Sequence, residues 1–158
     1  MGLISHGNET IYRSEVRLLV DWCTNNNLEL NIKKTKEMII DFRKIKNTVC
    51  SLEINHQQVE QVKFFTFLGS TITNTLKWDI HISIVVKKAQ QRLYFLRQLK
   101  KFGVGQRVLI HFYRAIIESV LTFSITVWYG NASQRDRESL DRIVRIAVKI
   151  IGCELPSI

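Results

Sequence analysis

Proline is almost missing from this chain, with one residue, Pro156, among 158, and glycine is sparse at seven. That composition excludes collagen-like repeats and Pro/Gly-rich linkers, and a 46% hydrophobic content excludes a disordered chain. Cysteine is scarce too: Cys23, Cys50 and Cys153 are odd in number and have no CxxC spacing, which argues against a disulfide framework or a zinc cluster and fits a reducing compartment. Long apolar runs are lacking. The longest, from Val120 to Tyr129, is interrupted by Thr122, Ser124 and Thr126 and falls well short of the ~20 residues of a bilayer span, so it reads as buried core. No charged-then-apolar leader opens the chain, and Met1-Gly2-Leu3-Ile4-Ser5-His6 misses the myristoylation pattern at its sixth position. The expected location is intracellular, nuclear or cytoplasmic rather than secreted, with no membrane partner.

Acid is what the second half lacks most. Residues 1–83 carry 10 basic and 9 acidic residues, whereas 84–158 carry 13 and 5. From Ile84 to Ile117 there are eight cations (Lys87, Lys88, Arg92, Arg97, Lys100, Lys101, Arg107, Arg114) and no acid. Such an imbalance points this half at a polyanion.

Periodicity divides the chain the same way. Asn8 is placed to cap a helix over about 9–26, whose apolar stripe is Tyr12, Val16, Leu19, Val20 and Cys23. Leu28-Glu29-Leu30 and Met38–Phe42 read as short strands around a basic link, Lys33-Lys34-Thr35-Lys36. Leu52-Glu53-Ile54 reads as another strand, ending at Asn55-His56, and Val62–Thr73 as a strand broken at Gly69. Thereafter the period becomes helical. A helix over 78–101 has Val85, Ala89, Leu93, Leu96 and Leu99 on its core side and Lys87, Gln91, Tyr94, Gln98 and Lys101 opposite, and it stops at Gly103 and Gly105. A second is expected from 106 to near Trp128. A third, over 134–151, carries Leu140, Ile143, Val144, Ala147 and Ile150 inward, with Glu138–Arg142 and Asp141–Arg145 as supporting pairs and Gly152 as its cap. The class is therefore α+β: a small sheet with one helix in 1–75, then a helical lobe in 76–158. The expected helical core is Val85, Leu93, Leu96, Val108, Leu109, Ile116, Ile117, Val120, Leu140, Ile143 and Val144.

Chemistry-bearing patterns are few. No GxSxG elbow, Gly-rich phosphate loop or Asp-Asp step occurs. His6, His56, His81 and His111 are scattered, with no HxD or HExxH spacing, and read as surface or satisfied histidines. No catalytic residue, metal ligand or cofactor is expected. What stands out is the outer face of the first long helix, where Lys87, Gln91, Tyr94, Gln98 and Lys101 could run along phosphates while Tyr94 stacks on a sugar or base, with Lys88, Arg92 and Arg107 as further cations expected to hold phosphates. A solvated face has a similar pattern, but solvated faces normally mix signs.

Three runs carry a resemblance. Trp22 to Met38 (WCTNNNLELNIKKTKEM) resembles the segment after the catalytic hairpin in reverse transcriptases of non-LTR, LINE-type retrotransposons. Phe67-Leu68-Gly69-Ser70-Thr71-Ile72 followed by Leu76–Ile82 is similar to that family's primer-grip strand, and Ala89–Gly130 to its thumb. The resemblance implies a partial palm in 1–75 and a thumb in 76–158. It also implies that Lys34 matches the lysine assisting the pyrophosphate leaving group, and that Phe67, Leu68 and Gly69 form the turn under the primer end. The family's metal-binding aspartates would fall upstream of Met1, so polymerase activity is not expected. The implied partners are RNA, DNA or their hybrid, and the upstream polymerase part. Residues 128–158, from Trp128-Tyr129-Gly130 onward, are also similar to the N-terminal segment of AlkB homologue eight. That resemblance implies alkylation repair by a 2-oxoglutarate dioxygenase or a methyltransferase, chemistry for which this chain shows no iron triad or nucleotide loop. A protein-interaction remnant without catalysis is the further alternative.

Overall fold

The computed structural model describes residues 2, 4, 8–43 and 50–158, and its elements make an α+β protein. They group into two compact units, Met1–Phe65 and Thr66–Ile158.

In the first unit, α1 (Thr10–Asn25) starts where Asn8 Oδ1 accepts the Thr10 N–H at 3.0 Å, an anchor for a first-turn donor that has no partner within the helix. Cys23 is buried, and Tyr12, Val16 and Val20 pack on the small core of Leu52, Ile54 and Val59. Leu19, expected on the same stripe, is exposed. Ile11, Leu18 and Trp22 are exposed as well, so the apolar arc of α1 spans more than half of its circumference and periodicity alone does not select which part of it is covered. The expected strands at 28–30 and 38–42 do not form. Instead β1 (Lys36–Glu37), starting at the last residue of the expected basic link, pairs in parallel with β4 (Glu60–Gln61), Lys36 opposite Glu60. Side-chain polarity holds it: the buried Glu37 carboxylate accepts from Tyr12 Oη at 2.8 Å and Gln61 Nε2 at 3.3 Å, and Lys36 pairs with Glu60. Hydrophobic alternation carries no trace of such pairing. The expected strand ending at Asn55-His56 forms as β2 (Glu53–Ile54), and the chain turns there, with φ of 47° and 60°, the type I′ geometry that suits strand twist, to pair β2 with a strand not anticipated, β3 (Gln57–Gln58).

The expected break at Gly69 is a hairpin between β5 (Phe64–Phe67) and β6 (Ser70–Thr73). Gly69 is required there twice over. Its φ is +83°, and a Cβ would lie 2.9 Å from the Phe123 ring. α2 (Asp79–Lys101) follows, with Asp79 in its first turn and Lys100 and Lys101 in its last, each sign suited to its end of the helix dipole. It ends as a Schellman turn: Gly103 is left-handed at φ +76° and Val104 N–H reaches back to Leu99 O at 3.2 Å.

The expected single helix over 106–128 is instead several pieces. α3 (Gln106–Phe112) runs into a π turn (Tyr113–Glu118) and α4 (Ser119–Leu121); Ser124 then takes a left-handed φ of 51° before α5 (Ile125–Trp128) and a 3₁₀ turn (Tyr129–Asn131). The reason lies in a spacing of four. Leu109, Tyr113, Ile117 and Leu121 are all 0% exposed, whereas an α-helix drifts about 40° for every four residues. The wider π turn offsets that drift and keeps all four on one face. It also moves Val108 and Ile116, expected in the core, out to the surface and leaves Val120 half-buried. The break after α4 follows hydroxyls that bond backward, Ser119 Oγ to Ala115 O and Thr122 Oγ1 to Glu118 O, and Trp128 Nε1 secures it by donating to Phe123 O at 3.0 Å. By length and composition alone, the helical stretch Gln106–Asn131 is long and apolar enough to cross a membrane, and little of it is buried.

α6 (Gln134–Ile151) opens on a capping box in which Ser133 and Asp136 bond each other's backbone N–H at 3.2 Å, and closes on Gly152 at φ 82°. Leu140, Ile143, Val144, Ala147 and Ile151 are buried, while Ile150 is half-buried. The anticipated pairs Glu138–Arg142 and Asp141–Arg145 do not close; Glu138 accepts from Gln134 instead. α6 packs most extensively on α2, along α2's buried Val85–Ala89–Leu93–Leu96 stripe.

Candidate nucleic-acid interface

With about 100° of turn per residue, side chains seven apart on a helix stand almost in line. Lys87, Tyr94 and Lys101 are such a set, all exposed, on the side of α2 away from its buried stripe. Gln91 is exposed between them and Gln98 half-buried. Lys88 and Arg92 belong to a second line, about 140° round the helix from the first. Arg92 is half-buried, and its Nη1 donates to the Ile116 carbonyl, so this guanidinium braces α2 to the π turn. Arg107 is exposed in the first turn of α3. Lys34 belongs to the other unit, exposed in a turn closed by its own N–H on Asn31 O and Oδ1, both at 3.1 Å. Phe67 and Leu68 are exposed beside Gly69 at the tip of the β5–β6 hairpin.

Electrostatics separates the two units. Among the described residues every ion pair lies in the first: Arg13–Glu9, Lys36–Glu60, Arg43–Asp41 and His56–Glu53. The cations between Ile84 and Ile117 have no carboxylate partner, which leaves the outer line of α2 as unneutralised positive charge.

The histidines fall out differently. His56 and His111 are exposed, and His6 lies outside the described residues. His81 is 2% exposed, edge-on to Trp78 and Trp128, with Nδ1 accepting the Thr71 N–H at 3.2 Å and Nε2 without a partner. Burial, reinforced by Lys88, holds its pKa below the ordinary value, so the ring is kept neutral with its proton on Nε2. Tyr113 is buried with an unpartnered hydroxyl, and burial, with Glu118 nearby, pushes its pKa up to about 12. Tyr12 is likewise raised, by burial and by its bond to Glu37. Among the described residues no three His, Cys, Asp or Glu side chains converge as metal ligands would. The first unit holds an open cleft of about 450 Å³ between α1 and the β2–β3 hairpin, but Arg13 at its wall is already bonded to Glu9 and to Cys50 O.

Sequence reading passed over a second feature of α2. Phe95, Leu99 and Phe102 stand at i, i+4 and i+7 beside the core stripe, and with Phe112 and Ile116 they line an open groove. That spacing is visible in the sequence, where it merges with the broader apolar face of the helix.

A family model described as alkylated DNA repair protein alkB homolog 8, N-terminal, matches residues 78–119, the stretch from the start of α2 through the π turn. The match covers about a quarter of the chain and lies upstream of residues 128–158, where the sequence resemblance to that segment was placed. No curated protein and no solved structure matches the chain.

Proposed function

We propose that this chain is a non-catalytic piece derived from a retroelement reverse transcriptase, with residues 1–75 from the palm and 76–158 from the thumb, and that it binds nucleic acid along the Lys87–Tyr94–Lys101 line of α2. The observation that carries the reading is this line of exposed cations in an acid-free stretch with no internal ion pair. Lysines not engaged by carboxylates are free to replace counterions on phosphates, and an exposed ring between them offers a stacking surface. Lys88 and Arg107 supply further positive charge nearby in sequence. Lys34, Phe67, Leu68 and Gly69 enter the reading only through the resemblance.

The test is a titration of the full chain with an RNA–DNA hybrid at several salt concentrations, beside the exposed-site double variant Lys87→Glu/Lys101→Glu. The wild type should bind with a steep salt dependence, and loss of two phosphate contacts should flatten the log–log slope by about 1.8 on a duplex. A wild type that does not bind, or a variant that binds equally well, rejects the reading.

A second reading takes its support from the family match: residues 78–119 would serve within an AlkB-homologue-type protein of alkylated nucleic-acid repair. Turnover of 2-oxoglutarate or methyl transfer by the chain would favour it over the first.

A further inference from the structure

Phe95 and Phe102 are 56% and 79% exposed, although an unbroken apolar strip joins them through Leu99. Across from that strip stand Phe112 of α3 and Ile116 of the π turn, and Arg92 fixes the opposing wall by its bond to the Ile116 carbonyl. The result is an apolar groove of about 460 Å³, open along one side, that the core of the unit does not fill. We propose that this groove is the docking site for one amphipathic helix of a protein partner, with apolar side chains at i, i+3 or i+4 and i+7 and acidic residues on its flanks.

The geometry fits a helix. Seven residues of α2 span about two turns, roughly 10 Å, the contact length over which a short amphipathic helix seats three or four anchors. Charge selects its flanks: Arg92 lines the groove, the exposed Lys88 stands one turn before it on the same side of α2, and residues 84–117 hold no acid to neutralise them. A second copy of this chain would bring the same two cations against each other. Nucleobases need polar partners for their edges, and the groove walls expose almost none. A concave channel between two helical elements admits a rod better than the flat face of a bilayer. All seven lining residues lie within 78–119, the stretch with a counterpart in the family model. The groove is distinct from the Lys87–Tyr94–Lys101 line, so the inference does not rest on nucleic-acid binding.

The test uses the full chain and a panel of stapled helical peptides, stapled because short helices are marginal in water. Leu, Phe, Met or Ile is permuted over the i, i+4 and i+7 positions, with Glu on the flanks in one set and Lys in the other. Phe95→Ser and Phe102→Ser keep the charge and alter exposed residues, and circular dichroism checks that they remain folded. Glu-flanked peptides should bind the wild type, Lys-flanked ones should not, and each Ser variant should weaken binding by about tenfold, as loss of an aromatic anchor does, while Phe102→Leu retains it. The affinity of both Ser variants for an RNA–DNA hybrid should be unchanged, which separates failure here from failure of the nucleic-acid reading. The proposal is overturned if no peptide binds, if both Ser variants bind as the wild type does, or if they lose instead their binding to phosphatidylserine-containing vesicles.

Discussion

Seventeen buried side chains join in one apolar core within residues 66–158, against three, Leu52, Ile54 and Val59, at the centre of the core formed among the described residues of 1–65. The ion pairs run the other way, all in the first unit, whose charges nearly balance, and none among the described residues of the second, which has fourteen cations to six acids. Surface ion pairs contribute little to stability and apolar burial contributes most of it. The second unit is thus the more stable of the two and carries charge in excess of what its fold uses. Surplus charge of one sign on a well-buried scaffold is what a binding surface for a polyanion requires.

The sharpest way to break that comparison is to cut into each core. Leu140→Ala or Leu96→Ala, at sites with 0% exposure, should cost about 2–5 kcal/mol in urea unfolding, through lost burial and the cavity left behind. Val59→Ala should leave the unfolding of the helical unit nearly unchanged when that unit is followed by hydrogen exchange in α2 and α6. Next in size is Ser133→Ala, which removes one half of the α6 capping box and should cost about 1 kcal/mol in the same measurement. Tyr113→Phe removes a buried hydroxyl that has no partner and should raise stability by about 1 kcal/mol. Because the folded pKa of Tyr113 is raised to about 12 from 10.0, wild-type stability should also fall as pH rises above 10, and the Phe variant should lose that fall.

The smallest effect concerns His81. Its pKa is lowered on folding, so the unfolded chain binds the proton more readily, and the neutral ring's contribution is fully present above the ordinary value of 6.5. Thermal unfolding should occur at lower temperature as pH falls below that value, and His81→Gln should flatten the dependence. An equal slope in both proteins would assign it to other groups.

Much of the fold was legible in the residues. The turns at Asn55-His56 and Leu68-Gly69, the stop at Gly103, the cap at Gly152 and the core sides of α2 and α6 all follow from local chemistry, since the residues that adopt positive φ or bury one stripe are visible in the chain itself. β1 was not legible, because it depends on the buried Glu37 bonding to residues 25 positions upstream and 24 downstream. Neither was the π turn, which shows only as a spacing of four that a 3.6-residue period absorbs until burial is known. At the candidate interface, sequence placed the cations on α2 and grouped Lys87, Lys88, Arg92 and Lys101 together. The helix separates them into two lines, and Arg92 turns to the Ile116 carbonyl, a contact between residues 24 apart.

The most direct test is lysine footprinting of the full chain by acetylation and mass spectrometry, with and without an RNA–DNA hybrid. Lys87 and Lys101 should be strongly protected by the hybrid at ~0.1 M salt, while Lys33 and Lys63, exposed in the first unit, stay reactive. Equal protection of all four, or none at Lys87 and Lys101 while the hybrid is bound, would contradict the account.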